Sequence, residues 1–183
     1  MTKKYSILDK KKYIYNEYSL TPVHKQHIEK IRIWRNHQID GLRQEKIISR
    51  NDQVSYFEKY VWNELDSKSP NQILFAFFLK EKLIGYGGLV HICWEDRVAE
   101  LSFLLSNNRI LNEIQYRKDL INFLSILKIV VHRNLKLDKI VTETYTTRKI
   151  NIDILEESGF IVDHKKISIN QNSKFHYLDV ERL

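Results

Sequence analysis

Glu100 stands in the middle of an apolar run, Val98-Ala99-Glu100-Leu101-Ser102-Phe103-Leu104-Leu105. A carboxylate buried alone in such a strand is costly, so it needs a partner, a proton or a water-filled cleft. Two readings follow: a general base acting through water, or half of an ion pair with a nearby Arg or Lys. His91 follows a stretch that holds three of the chain's five glycines, Gly85, Gly87 and Gly88. Histidine is a residue type suited to proton transfer, although a lone histidine also serves as a hydrogen-bonded structural residue. Glu143 and Tyr145 share one face of a later run, where Tyr145 is either a proton donor or a packing residue. His24, His27 and His132 have no cluster partner, and Cys93 is the single cysteine. Neither a disulfide nor a metal site is therefore expected.

The elements that must position these groups read as follows. The polar turn Glu95-Asp96-Arg97 joins two apolar runs as an antiparallel hairpin, with glycines in the first strand marking a bulge or a close backbone approach. In the second strand Val98, Glu100, Ser102 and Leu104 share one face, and Ala99, Leu101, Phe103 and Leu105 the other. Upstream, Tyr13–Leu20 reads as one strand, with Thr21-Pro22 opening a helix whose stripe is Ile28, Ile31 and Trp34. A connection with Gly41 and Arg43 leads to a second helix near Asp52–Leu65, with Val54, Phe57, Val61 and Leu65 on one face. Gln72–Leu79 is a strand covered on both faces. Downstream come a polar loop over Ser106–Glu113 and a helix near Tyr116–Leu135, striped by Leu120, Phe123, Leu124, Leu127, Val130 and Val131. Then follow a strand over Lys139–Tyr145 and a helix over Ile150–Ser158, closed by Gly159. The last strands are Phe160–Ile169 and Phe175–Val180, joined by Asn170-Gln171-Asn172-Ser173. The order is β-α-α-β-β-β-α-β-α-β-β, one α/β domain with a mixed sheet.

At 183 residues and 43% apolar content, the chain supports one domain with a sizeable core. Residues 1–12 read as a basic, flexible tail. No apolar run approaches the ~20 residues that span a bilayer, and no signal core follows the amino terminus, so the expected location is the cytoplasm. The net charge of +7 favours anionic partners. Apart from Lys3, Lys4 and Lys10-Lys11-Lys12 the lysines are dispersed, and no recognition helix or RNA-binding aromatic motif appears. Nucleic acid is not the expected partner.

The order of elements, with a long helix, a strand, a short helix and then Gly159-Phe160, resembles the GNAT N-acetyltransferase superfamily. Ile31-Arg32-Ile33-Trp34-Arg35-Asn36 looks like the Trp-Arg-Asn entry of its branch of ribosomal-protein and amino-sugar acetyltransferases. Leu83–Leu89 and Ala99–Leu105 look like its third and fourth strands, and Ile154–Phe160 like its closing motif. The resemblance covers Tyr18 to Val180. It implies a central, mostly antiparallel sheet whose fourth and fifth strands, here Val98–Leu105 and Lys139–Tyr145, splay to admit acetyl-CoA.

The resemblance also implies roles. Pantetheine would pair with the backbone around Phe103, Leu104 and Leu105, with Thr144 on the facing strand. The pyrophosphate would cap the next helix. There the family's glycine-rich loop is replaced by Asn107-Asn108-Arg109-Ile110-Leu111-Asn112, leaving the asparagines, Arg109, Arg117, Lys118 and Tyr116 as candidates. The family's helix-opening asparagine falls on Arg148, and its thiolate-protonating tyrosine on Leu155. Glu100 would be the base, with His91, Glu143 and Tyr145 as further candidates. Trp34, Arg35, Asn36, Arg43, Tyr86 and His91 would meet the acceptor. The implied reaction is acetyl transfer to a primary amine of a small anionic molecule, a nucleotide-linked amino sugar for surface polysaccharide. Rivals are a protein amino terminus as acceptor, a non-catalytic binding protein of the same fold, and a nucleic-acid-binding domain. A homodimer is the assembly carried forward.

Overall fold

A computed structural model describes residues 3–166 and 172–182. One eight-stranded sheet in the order β1-β2-β3-β4-β5-β6-β8-β7 forms its centre. Its strands are β1 Tyr13–Tyr15, β2 Tyr18–Pro22, β3 Ile73–Leu79, β4 Lys82–Cys93, β5 Val98–Leu105, β6 Lys139–Tyr145, β7 Ile161–Val162 and β8 Ser173–Asp179. All neighbours are antiparallel except β5 and β6. Helices α1 Ile28–His37 and α2 Arg50–Tyr60 cover one face, and α3 Glu113–Asn134 and α4 Lys149–Glu157 the other. The sheet thus divides two cores. Phe75, Phe77, Leu101, Leu105 and Phe123 belong to that of α3 and α4, and Leu74, Ala76, Tyr86 and Leu104 to that of α1 and α2. The expected fold is present.

Several expected elements change. Tyr13–Leu20 is a hairpin rather than one strand, turned at Asn16 with φ of 53°. Pro22 does not open a helix. It pairs with Phe75 in β2, and the Val23 amide still donates to Leu74 O, so the sheet overrides the local Thr-Pro signal. Helix α2 begins at Arg50 rather than near Asp52 and ends at Tyr60, and Ser49 caps it by accepting from the Asp52 amide. Val54 faces solvent rather than the core. The basic segment before Tyr13 is packed, with Tyr5 fully buried and Leu8 nearly so. Residues 167–169 of one expected strand, and Asn170 and Gln171 of the turn after it, lie outside the described residues.

Two glycines in β4 let β5 come close. A Cβ on Gly85 would meet Leu104 O at 2.6 Å, and one on Gly87 would meet Ser102 O at 2.3 Å. These carbonyls therefore point at β4. By strand alternation, those of Leu101, Phe103 and Leu105 point the other way, towards β6. There the ladder stops early. β5 meets β6 only through Val98, Ala99 and Glu100, level with Lys139, Ile140 and Val141. Beyond that point β6 is paired with β8 alone, through to Tyr145. The backbone edge of Leu101–Leu105 is left as one wall of a slot.

Candidate active site

A cavity of about 700 Å³ runs along that slot and out under α2. Of the residues marked by sequence, Phe103, Glu143, Thr144, Tyr145 and Arg148 line it on the slot side. Arg35, Arg43, Tyr86 and His91 line it on the α1–α2 side. His91 reaches it through a defect in β4. The register slips between Val90 and Cys93, and His91 takes a left-handed φ of 49°, a strained conformation for a residue with a Cβ. The bulge turns the His91 side chain outward, and the next amide, that of Ile92, donates to Asn71 O.

Glu100 and Glu143 are brought together. Parallel register sets Glu100 beside Val141, and Glu143 is two residues further along the same face of β6. One guanidinium, that of Arg43, bonds Glu100 and lies 3.6 Å from Glu143. The ion-pair reading of Glu100 is therefore the one observed. It stands on the strand beside the slot, and it has an arginine partner.

The Trp-Arg-Asn segment splits by function. Trp34 belongs to the apolar core of its helix. Asn36 fastens the α1–α2 connection, accepting from the Ile48 amide and donating to Ile48 O, both at 2.9 Å. Arg35 alone faces the cavity, donating to the Tyr86 hydroxyl at 3.1 Å and to Gln44 at 3.0 Å.

The loop before α3 is spent on itself. Asn107 Oδ1 accepts from Gln38, Asn108 Oδ1 accepts from Ser106, and Asn112 caps α3 by accepting from the Gln115 amide. Arg109 makes a two-pronged bond to Asp119, both arms 2.7 Å, inside the protein, and Tyr18 donates to the same carboxylate at 2.9 Å. Buried pairing raises the Tyr18 phenol to about 12, burial being the larger cause and Asp119 the next. Arg117 pairs with Glu157, and Lys118 borders a separate groove with Glu17 and Tyr18.

Whether these residues suit acetyl-CoA is decided at the two ends of the slot. The free backbone edge of Leu101 and Phe103 fits the amide-bearing pantetheine arm. At the far end Arg148 supplies a cation. It lies 3.3 Å from the Tyr116 hydroxyl, on the first turn of α3, and reaches Gly41 O at 3.4 Å. Burial raises the Tyr116 phenol, and Arg148 opposes that rise. Leu155, where the family has its tyrosine, is buried at the cavity wall and has no proton to give. Tyr145 and Ser173 are hydroxyls that do line it.

The cavity also holds residues that the sequence did not single out: Tyr56, Tyr60, Asn71, Gln72, Thr142 and Asn151. The Tyr56 hydroxyl donates to Gln72 at 3.1 Å, and Gln72 in turn donates to Tyr60 O at 2.8 Å. Both tyrosines are nearly half exposed. Two tyrosines spaced four apart on α2, off its apolar stripe, were the available signal. Among the described residues no group of three His, Cys, Asp or Glu could hold a metal ion, and no helix is long and apolar enough to cross a membrane.

The acetyltransferase (GNAT) domain family matches residues 20–177. A comparison with curated proteins gave no match. Among solved structures, spermidine N-acetyltransferase from Vibrio cholerae in complex with CoA and spermine aligns with a TM-score of 0.71. The identity is 16%, over 90% of this chain and 96% of that one. The dodecameric form of the Vibrio cholerae enzyme in an intermediate state gives a TM-score of 0.68 at 16% identity, over 91% of this chain and 95% of that one. At that identity the likeness speaks for the fold, and the family match speaks for the chemistry. With the slot, its free strand edge and the matched span of residues 20–177, the chain belongs to the GNAT acetyltransferases, as an N-acetyltransferase that draws on acetyl-CoA.

Proposed function

We propose that this enzyme acetylates a primary amine of a small acceptor carrying more than one positive charge. The observation that carries the reading is the pair Glu100 and Glu143, set on adjacent strands at the slot and already bridged by a cation. Taken as a trio, two carboxylates against one guanidinium carry one net negative charge for an ammonium to meet, while Arg35 and Arg148 line other parts of the cavity. Tyr56 and Tyr60, exposed in the same cavity, offer aromatic faces to a second cationic or aliphatic segment. The Vibrio cholerae neighbour's complex with spermine supports an acceptor of this class. The nucleotide-linked amino sugar expected from the sequence becomes the second reading. Arg35, which faces the cavity, is the group that favours it.

Acetyl-CoA supplies an acyl carbon that gains a bond to the amine nitrogen as its bond to sulfur breaks. The chain's own part is to hold the amine, take its proton and return one to sulfur. In this proposal Glu100 takes the proton through water, and Tyr145 or Ser173 stands where a proton donor is needed. His91, exposed on its bulge, lines the same cavity as a further candidate.

The test is an acetyl-CoA turnover assay with a panel of spermidine, 1,4-diaminobutane and an amino-sugar nucleotide. Spermidine or the diamine as preferred acceptor supports the reading, whereas turnover of the amino-sugar nucleotide alone overturns it. Glu100→Gln should lower kcat by roughly 10²–10⁴ while acetyl-CoA still binds. Unchanged kcat removes Glu100 as the base. The homodimer expectation joins this proposal, and sedimentation at assay concentration checks it.

A further inference from the structure

The Glu100–Arg43–Glu143 arrangement is unequal. The carboxylates stand on paired strands, with side chains 17% and 28% exposed, while the Arg43 side chain is 57% exposed. Arg43 also lies outside any helix or strand, just after the short turn Ile39–Gly41. Strand backbone holds the two acids in place, and a connecting segment carries the cation. In such a trio the exchangeable member is the arginine. Of the three side chains Arg43 is the one that water already reaches, so it parts from the trio at less cost than either acid would. An ammonium arriving in its place gains the same two half-buried carboxylates.

We infer that Arg43 occupies the acceptor's ammonium seat in the free enzyme and governs acceptor selection by competing for it. This rests on the amine-acceptor reading above and extends it. Because the competitor is tethered, its effective concentration is fixed and high, and it raises the apparent dissociation constant of every cationic acceptor. A monocation can only replace Arg43. A dication that reaches both acids also meets the residual negative charge, so the tether favours acceptors with two charges over those with one. The segment has two further anchors that keep Arg43 over the slot. Gln38 donates to Leu105 O at 2.8 Å, and Arg148 reaches Gly41 O.

The experiment uses the full chain without acetyl-CoA and measures binding of 1,4-diaminobutane and 1-aminobutane by calorimetry, with steady-state KM alongside. Arg43→Ala should tighten binding of both amines and lower their KM in step, 1-aminobutane by about tenfold and 1,4-diaminobutane by less, narrowing the preference for the diamine. Arg43→Lys should stay close to the parent protein, because it restores a tethered cation. Arg43→Gln serves as a second neutral variant if the alanine protein fails to fold. Weaker or unchanged amine binding in a folded Arg43→Ala or Arg43→Gln protein overturns the inference. If no protein in the set binds either amine while all bind acetyl-CoA, the acceptor reading itself falls, and this inference with it.

Discussion

Arg109 shows how one side chain's commitments decide its role. Its place in the loop before α3 suggested phosphate binding, yet its guanidinium forks onto Asp119, whose carboxylate is fully buried and also bonded by Tyr18. Removing one partner of a buried pair strands the other charge, at about 3–5 kcal/mol. Arg109→Ala should therefore lose stability of that order in urea unfolding. Its acetyl-CoA affinity, measured where the variant is still folded, should change far less. A variant as stable as its parent, but with much weaker acetyl-CoA binding, would return Arg109 to the phosphates. The sequence could not show this, because the partner is ten residues along the chain, a spacing that no helical rule connects. Glu100 was more legible. A lone acid in an apolar strand demanded a partner, a proton or a cleft, and the partner is Arg43.

Among the elements, spacing was the reliable guide and the exact ends were not. The buried stripe of α3 holds at every expected position from Leu120 to Val131, since a 22-residue helix averages out local signals. Short signals gave way. Thr21-Pro22 promised a helix start, and the pairing of β2 with β3 claimed both residues instead. The entry to α1 is built by histidine. The short turn Lys25–His27 leads into it, and the His24 amide donates to His27 Nδ1 at 3.0 Å. That nitrogen must stay unprotonated to accept, and burial first, then the neighbouring His24 and Lys30, lower the His27 pKa to about 4. The unfolded chain therefore binds this proton more readily. Stability is unaffected above about pH 6.5 and falls as pH drops from there towards 4, by up to about 1.4 kcal/mol per pH unit. His176, also lowered by burial, titrates in the same direction, so the comparison must isolate His27. Unfolding midpoints of His27→Gln and the parent should converge as pH falls through this window. A constant gap between them would contradict the assignment.

At the scale of the whole molecule, the sequence carried the order of strands and helices, apart from reading the β1–β2 hairpin as one strand, and the order carried the sheet. It did not carry how far β5 and β6 stay paired, nor how residues 3–12 pack, because both are settled by contacts far apart in the chain. The amino-terminal segment makes the point. Its lysines suggested a loose tail, but Tyr5 and Leu8 lie in the core shared with Phe75 and Leu65. The Tyr5 hydroxyl accepts the Leu74 amide of β3 at 3.0 Å, and the Ser6 amide donates to Leu65 O at 2.7 Å. The segment thus ties the end of the α2 region to the centre of the sheet. Tyr5→Ala would open a cavity and leave the Leu74 amide without its partner, and large-to-small changes of this kind cost about 3–5 kcal/mol. Replacing exposed Lys10, Lys11 and Lys12 with serine should stay within about 0.5 kcal/mol per site. Urea unfolding of the two proteins separates the possibilities. A large loss for Tyr5→Ala beside a small one for the lysine variant makes the segment part of the folded domain. Two equally small losses would mean that the rest of the sheet holds together without it.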